Sequence, residues 1–133
     1  VWERSELTSK ELTQWSFLVA ATGQAMLEVL PQLEGGCINY WEAGNWALNE
    51  QAEPKGFKIA KTSRSVHLHL LGRSPRATNP DLKWGEAPKF PEYVDRLAWT
   101  GKNELLTADE CRKIVDRANE LLISKYGFLS VMS

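Results

Sequence analysis

A chain of 133 residues suits one compact domain, and its hydrophobic fraction of 43% and charged fraction of 25% are typical of globular proteins. A formal net charge of −1 argues against wrapping duplex nucleic acid, because such binding depends on neutralising many phosphates. No run of about 18 apolar residues is present, so we predict no membrane span. Cys37 and Cys111 lack the CxxC spacing of a metal or redox site, which favours reduced thiols in a cytoplasmic protein.

One amphipathic helix is predicted near each end of the chain. Thr8 is followed three residues later by a glutamate, the spacing of a capping box, and apolar residues then recur at intervals of three and four over 9–30. Thr107 has the same spacing to a glutamate, and the apolar stripe that follows it runs to Gly127. We therefore expect a long N-terminal helix and a C-terminal helix.

The residues between these helices favour β-strands. Residues 37–49 are rich in aromatic and β-prone side chains, and 57–60 could form a short strand. In 64–71 every second residue from Val66 to Leu70 is apolar, with serine and histidines between. In a strand, this last pattern places apolar side chains on one face and the remainder on the other: Val66, Leu68 and Leu70 against Ser65, His67, His69 and Leu71. The strands predict an antiparallel sheet, and the whole chain, 1–133, a single α+β domain.

A long loop is expected at 73–99, where Pro, Gly and polar residues exclude regular structure. The loop also carries Trp84, Phe90, Tyr93 and Trp99, and disordered segments are poor in aromatic residues, so we expect it to be ordered. These side chains either anchor the loop to the core or form a lid that stacks on a nucleobase. Two further tryptophans, Trp41 and Trp46, are predicted to lie in the core or in a dimer interface.

His67 and His69 are the only histidines in the chain, and their spacing of two places both on one face of a strand. Three interpretations remain open from spacing alone. The pair is incidental to a solvated face, supplies a nucleophile and a neighbouring acid, or ligates a metal. The metal interpretation lacks a third ligand at motif spacing.

The segment from Ser65 to Gly72, SVHLHLLG, resembles the signature of the histidine-triad superfamily, in which three histidines alternate with apolar residues. His67 and His69 occupy the middle and last histidine positions, and serine replaces the first. All four apolar positions and the glycine agree, and the order of helix, strand, signature strand and final helix is the family's. The resemblance covers about Leu7 to Gly72 and the last helix.

The resemblance implies a nucleotide site. His67 would be the nucleophile that attacks the α-phosphate and forms a covalent nucleotidyl-histidine, with His69 at the phosphate oxygens. Ser65 would support the nucleophile through its hydroxyl, although its reach is shorter than that of histidine. Polar residues on the preceding segments are candidates for substrate contacts: Lys61, Thr62 and Asn45. Arg73, after the signature, could also meet a phosphate.

We therefore expect a nucleotide hydrolase or nucleotidyl transferase that acts on dinucleoside polyphosphates or nucleoside phosphoramidates, with no cofactor and no metal. The alternative is a non-catalytic nucleotide-binding module of the same fold. The resemblance also implies a homodimer. Family members usually carry a β-hairpin before the long helix, so either that hairpin lies outside this chain or the base pocket is built from residues 73–93.

Overall fold

The computed structural model describes residues 1–42 and 45–128 and shows an α+β architecture. Its helices and strands are α1 (Ser9–Val29), β1 (Cys37–Trp41), α2 (Ala60–Ser63), β2 (His69–Arg73), α3 (Arg96–Thr100) and α4 (Ala108–Ser124). Short 3-10 helices lie at Arg4–Glu6, Pro31–Leu33, Asn45–Leu48, Pro80–Leu82 and Tyr93–Asp95. No helix in this part of the chain has an apolar stretch long enough to cross a bilayer.

Both long helices begin with the predicted capping boxes. The Thr8 hydroxyl accepts the N–H of Glu11 at 3.3 Å, and the Glu11 carboxylate accepts the N–H of Thr8 at 2.8 Å. Thr107 and Glu110 make the same pair of bonds at 3.2 and 2.8 Å. Each box satisfies two backbone donors that a helix start leaves free, which fixes where α1 and α4 begin.

The core forms where α1 packs against α4. Eight residues make up its buried cluster: Ala21, Ala25, Met26, Leu30, Leu33, Ile114, Ala118 and Leu121. The alanines keep the helices close, and Ile38 and Leu70 of the sheet pack against the same cluster. At its rim, the Arg117 Nε donates to Glu28 at 2.6 Å.

The sheet is an antiparallel pair in which Trp41 lies opposite His69 and Cys37 lies opposite Arg73. Directly opposed residues share a face of the sheet. Trp41 and His69 therefore lie on the face opposite to Ile38 and Leu70, which point to the core. The helices cover one face, and His69 lies on the other.

The predicted strand bounds were wrong in three places. The second strand begins at His69 instead of Arg64: β1 ends at Trp41, and among the described residues no strand pairs with 64–68. The predicted strand at 57–60 is absent: Phe57 is 85% exposed, with no sheet to pack on, and Ala60 begins α2. In the predicted 37–49 strand, residues 45–48 form a 3-10 helix instead.

The alternating exposure expected around the histidines is nevertheless present. Val66, Leu68 and Leu70 are half-buried, whereas the side chains between them, including both histidines, are exposed. The apolar residues hold this segment on the protein even where no ladder forms.

Arg73 fastens the loop at 73–99 to the sheet. It is only 6% exposed, and its guanidinium donates to the Asn39 side chain at 2.9 Å. It also donates to the carbonyls of Lys83 at 2.8 Å, Glu86 at 2.9 Å and Leu82 at 3.3 Å. These contacts favour a structural role for Arg73 over the expected contact with a phosphate.

Aromatic contacts fasten the loop at a second place. The Phe90 ring lies 5.0 Å from that of Trp41 and 5.9 Å from that of Trp99, measured between centroids. Tyr93 contacts Trp46 at 6.4 Å. Trp41 and Trp46 are 40% and 41% exposed, so they do not lie in the core, and the alternative of a dimer interface stays a prediction. Their rings support the loop from the surface.

Candidate functional site

The backbone just before the histidines is held by the first residues of the chain. The N–H of Val66 donates to the carbonyl of Val1 at 3.2 Å. Arg64 forms a partly buried ion pair with Glu3 at 3.0 Å. These two contacts fix residues 64–66, and with them the position from which His67 projects.

His67 is oriented by a hydrogen bond to the main chain. Its Nδ1 lies 2.8 Å from the carbonyl oxygen of Ser65. A carbonyl oxygen can only accept, so Nδ1 carries the proton in this geometry. In the neutral ring the lone pair is then on Nε2, the nitrogen that faces away from this bond. The arrangement prepares Nε2 to act as a nucleophile or a base.

His69 stacks against His67 with ring centroids 4.8 Å apart and planes at 76°, an edge-to-face contact. Although the residue as a whole is exposed, partial loss of hydration at its ring, and then the charge of His67 when protonated, lower the pKa of His69 below its ordinary value of 6.5. This direction favours the neutral imidazole near pH 7, which donates one hydrogen bond and accepts another.

Ser65 contributes its main chain to this arrangement. Its carbonyl holds the His67 ring, whereas its hydroxyl makes no hydrogen bond to any part of the chain that the structure describes. The expected support through the hydroxyl is not seen. The signature pattern contained no signal for this contact, because the bond depends on backbone geometry and not on the side chain at position 65.

The other predicted site residues lie on two short helices that contact each other, α2 and the 3-10 helix Asn45–Leu48. Lys61 and Thr62 are exposed on α2, and the Thr62 hydroxyl donates to the Ile59 carbonyl at 3.2 Å. The side chain of Asn45 lies outside the described part of the structure. Arg73 is at the far end of β2, roughly 13 Å along the strand from His69.

Two concavities are present on the described surface. One, of about 320 Å³, is lined by Phe90 and Trp99 together with charged residues of the loop and α3. The other, of about 530 Å³, follows residues 27–36 at the end of α1. Neither His67 nor His69 lines either of them. Both imidazoles are exposed.

A metal site finds little support around the pair. Among residues 1–42 and 45–128, no group of three or more His, Cys, Asp or Glu side chains is placed to hold a metal ion. Cys37 and Cys111 are free and exposed.

The comparisons add no family or relative: family models, curated proteins and solved structures gave no match to this chain.

Proposed function

We propose that this chain is a nucleotide hydrolase or nucleotidyl transferase that works through a covalent intermediate on His67. The observation that carries the proposal is the 2.8 Å bond from His67 Nδ1 to the Ser65 carbonyl. In the neutral ring that bond leaves the free lone pair on Nε2, and because His67 is exposed, the lone pair is available for attack on a phosphate. The proposed substrates are dinucleoside polyphosphates or nucleoside phosphoramidates.

The chemistry follows from this geometry. The Nε2 lone pair forms a bond to the α-phosphorus, while the bond from phosphorus to the leaving oxygen or nitrogen breaks and the leaving group takes a proton from water. The imidazole then carries a positive charge, and the Ser65 carbonyl stabilises it through the Nδ1 proton. Water next attacks phosphorus, the N–P bond breaks, and His67 is restored.

His69 is suited to assist at the phosphate. Its ring lies 4.8 Å from that of His67, so one nitrogen can donate to a phosphate oxygen while His67 attacks. Lys61 is exposed and close in the chain, and it could neutralise part of the phosphate charge. The proposal places the chain in the histidine-triad superfamily as a divergent cytoplasmic member. Homodimerisation through the exposed tryptophans is part of it.

The test is trapping of the intermediate. The protein is incubated with adenosine and guanosine 5′-phosphoramidates, quenched in base, and analysed by mass spectrometry for a nucleotidyl adduct on His67. We expect turnover and an adduct in the native chain, neither in His67→Asn, and a slower adduct in His69→Asn. Circular dichroism controls for folding. Undiminished turnover in a folded His67→Asn variant would refute the assignment.

A non-catalytic nucleotide-binding module is the second candidate. The observation that favours it is the exposure of both imidazoles, neither of which lines one of the two concavities described above. Catalysis on phosphates gains from excluding water, and an open site gains less. Calorimetry with AMP and GMP, run beside the hydrolysis assay, separates the two candidates. Binding without turnover or adduct supports the module.

A further inference from the structure

The loop at 73–99 and α3 enclose the concavity of about 320 Å³, a volume within the range of small-molecule sites. Phe90 and Trp99 supply aromatic surface to it. Charges of both signs surround these rings: Asp81, Asp95, Lys89 and Lys102. The lining therefore combines what a flat, polar-edged ligand needs, an aromatic surface and hydrogen-bonding groups at its margin.

The charged side chains of this concavity form no ion pairs with one another in the described part of the chain. Across residues 1–42 and 45–128, none of the four takes part in an ion pair within 4.0 Å. The two carboxylates and the two ammonium groups are therefore available to polar groups of a ligand.

A continuous aromatic surface leads from the concavity to the histidines. Trp41 lies opposite His69 in the ladder and shares its face of the sheet. The Trp41 ring contacts that of Phe90 at 5.0 Å between centroids, and Phe90 lines the concavity. Trp41 therefore lies between the concavity and His69 on this face of the sheet.

We propose that this concavity is the nucleobase subsite of the site proposed above, on which the inference rests, and that it selects guanine. A nucleobase stacks on an aromatic ring and is read along its edge. Ionised carboxylates only accept hydrogen bonds. Guanine presents two adjacent donors, N1–H and the exocyclic amine, beside the O6 acceptor, so Asp81 or Asp95 takes the donors and a lysine takes O6.

Calorimetry measures the subsite with GMP, AMP and ribose 5-phosphate, which carries the phosphate without a base. We expect the native chain to bind GMP more tightly than AMP, and AMP more tightly than ribose 5-phosphate. Trp99→Leu should weaken GMP binding by roughly five- to 150-fold, the range of one lost stacking contact. Trp84→Leu is the matched control, since Trp84 is an exposed tryptophan of the same loop outside the concavity.

The carboxylates are tested by an isosteric pair of changes that preserves the surface shape. The double variant Asp81→Asn and Asp95→Asn should lose its preference for GMP over AMP and keep its affinity for ribose 5-phosphate. Equal GMP binding in Trp99→Leu and Trp84→Leu would overturn the proposal. So would an equal loss of GMP and ribose 5-phosphate binding in either Trp99→Leu or the double variant.

The proposal of the base subsite and the proposal of the reaction at His67 are refuted by different results. A base preference that depends on Trp99, with no adduct at His67, keeps the subsite and removes the proposed reaction. An adduct at His67 that forms equally with all bases and does not respond to Trp99→Leu keeps the reaction and removes the subsite.

Discussion

Arg73→Met should loosen the loop at 73–99 and destabilise the whole domain. The substitution keeps much of the aliphatic side chain and removes the guanidinium, which donates to three acceptors at 2.8 to 2.9 Å and a fourth at 3.3 Å. Hydrogen bonds to a charged group contribute about 1.5–3 kcal/mol each. Burial of a cation without a carboxylate partner costs several kcal/mol, which offsets part of that gain.

The net effect also depends on the acceptors that remain. The carbonyl of Glu86 loses its donor, which costs about 1–3 kcal/mol if it stays dry, whereas the carbonyl of Lys83 still accepts the N–H of Glu86 at 3.2 Å. They belong to a surface loop, so water recovers part of this cost. We therefore expect the free energy of unfolding to fall by about 2–4 kcal/mol, a large fraction of the stability of a small domain.

Urea denaturation followed by tryptophan fluorescence measures this change, and limited proteolysis reports on the loop. Arg112→Met is the matched control: Arg112 is 66% exposed, and among the residues that the structure describes it pairs only with Asp109, at 3.3 Å on the surface of α4. We expect no change beyond experimental error in that variant. The reasoning fails if Arg73→Met destabilises the protein no more than Arg112→Met, or if the loop is cut at the native rate.

Two further predictions concern His69 and Thr107. In an NMR titration His69 should protonate below pH 6.5, and His67→Asn should raise its pKa part of the way back, since burial remains but the neighbouring charge is gone; an unchanged pKa in that variant would exclude the charge as a cause. The folded state binds this proton less readily than the unfolded chain does. The contribution of His69 to stability is therefore complete above pH 6.5 and declines as the pH falls towards the folded pKa. The unfolding free energy of a His69→Gln variant should accordingly depend less on pH over that range. Thr107→Ala should lower the free energy of unfolding by about 1 kcal/mol and Thr107→Ser by much less, as measured by urea denaturation, because serine still accepts the N–H of Glu110; equal losses in both variants would show that the cap is not the cause.

The helices were predictable because their signals are local. A capping box involves residues three apart, and the apolar stripe of α4 repeats over single turns, so neither depends on the remainder of the chain. Thr8 and Thr107 mark the observed starts for this reason. The alternation around His67 was local as well, and it correctly placed Val66 and Leu68 inward.

The strand bounds and the role of Arg73 depended on contacts that are distant in sequence. Whether residues 64–68 join a ladder is decided by where β1 ends, at Trp41, which the pattern of 64–71 does not contain. Arg73 follows the signature and looked available to a phosphate, but the loop folds back and supplies it with carbonyls. The same return of the loop places Phe90 beside Trp41.

The bond between His67 and Ser65 has a consequence for how this position tolerates change. The acceptor is a peptide oxygen, which every amino acid provides. Residue 65 can therefore be any amino acid while Nδ1 of His67 keeps its proton and Nε2 its lone pair. The orientation of the His67 ring depends instead on the contacts that hold this peptide unit in place. The Val1 carbonyl accepts the N–H of this same peptide unit, and the Glu3–Arg64 ion pair holds the residue just before it. A remote substitution that disturbs either contact would reach the histidine.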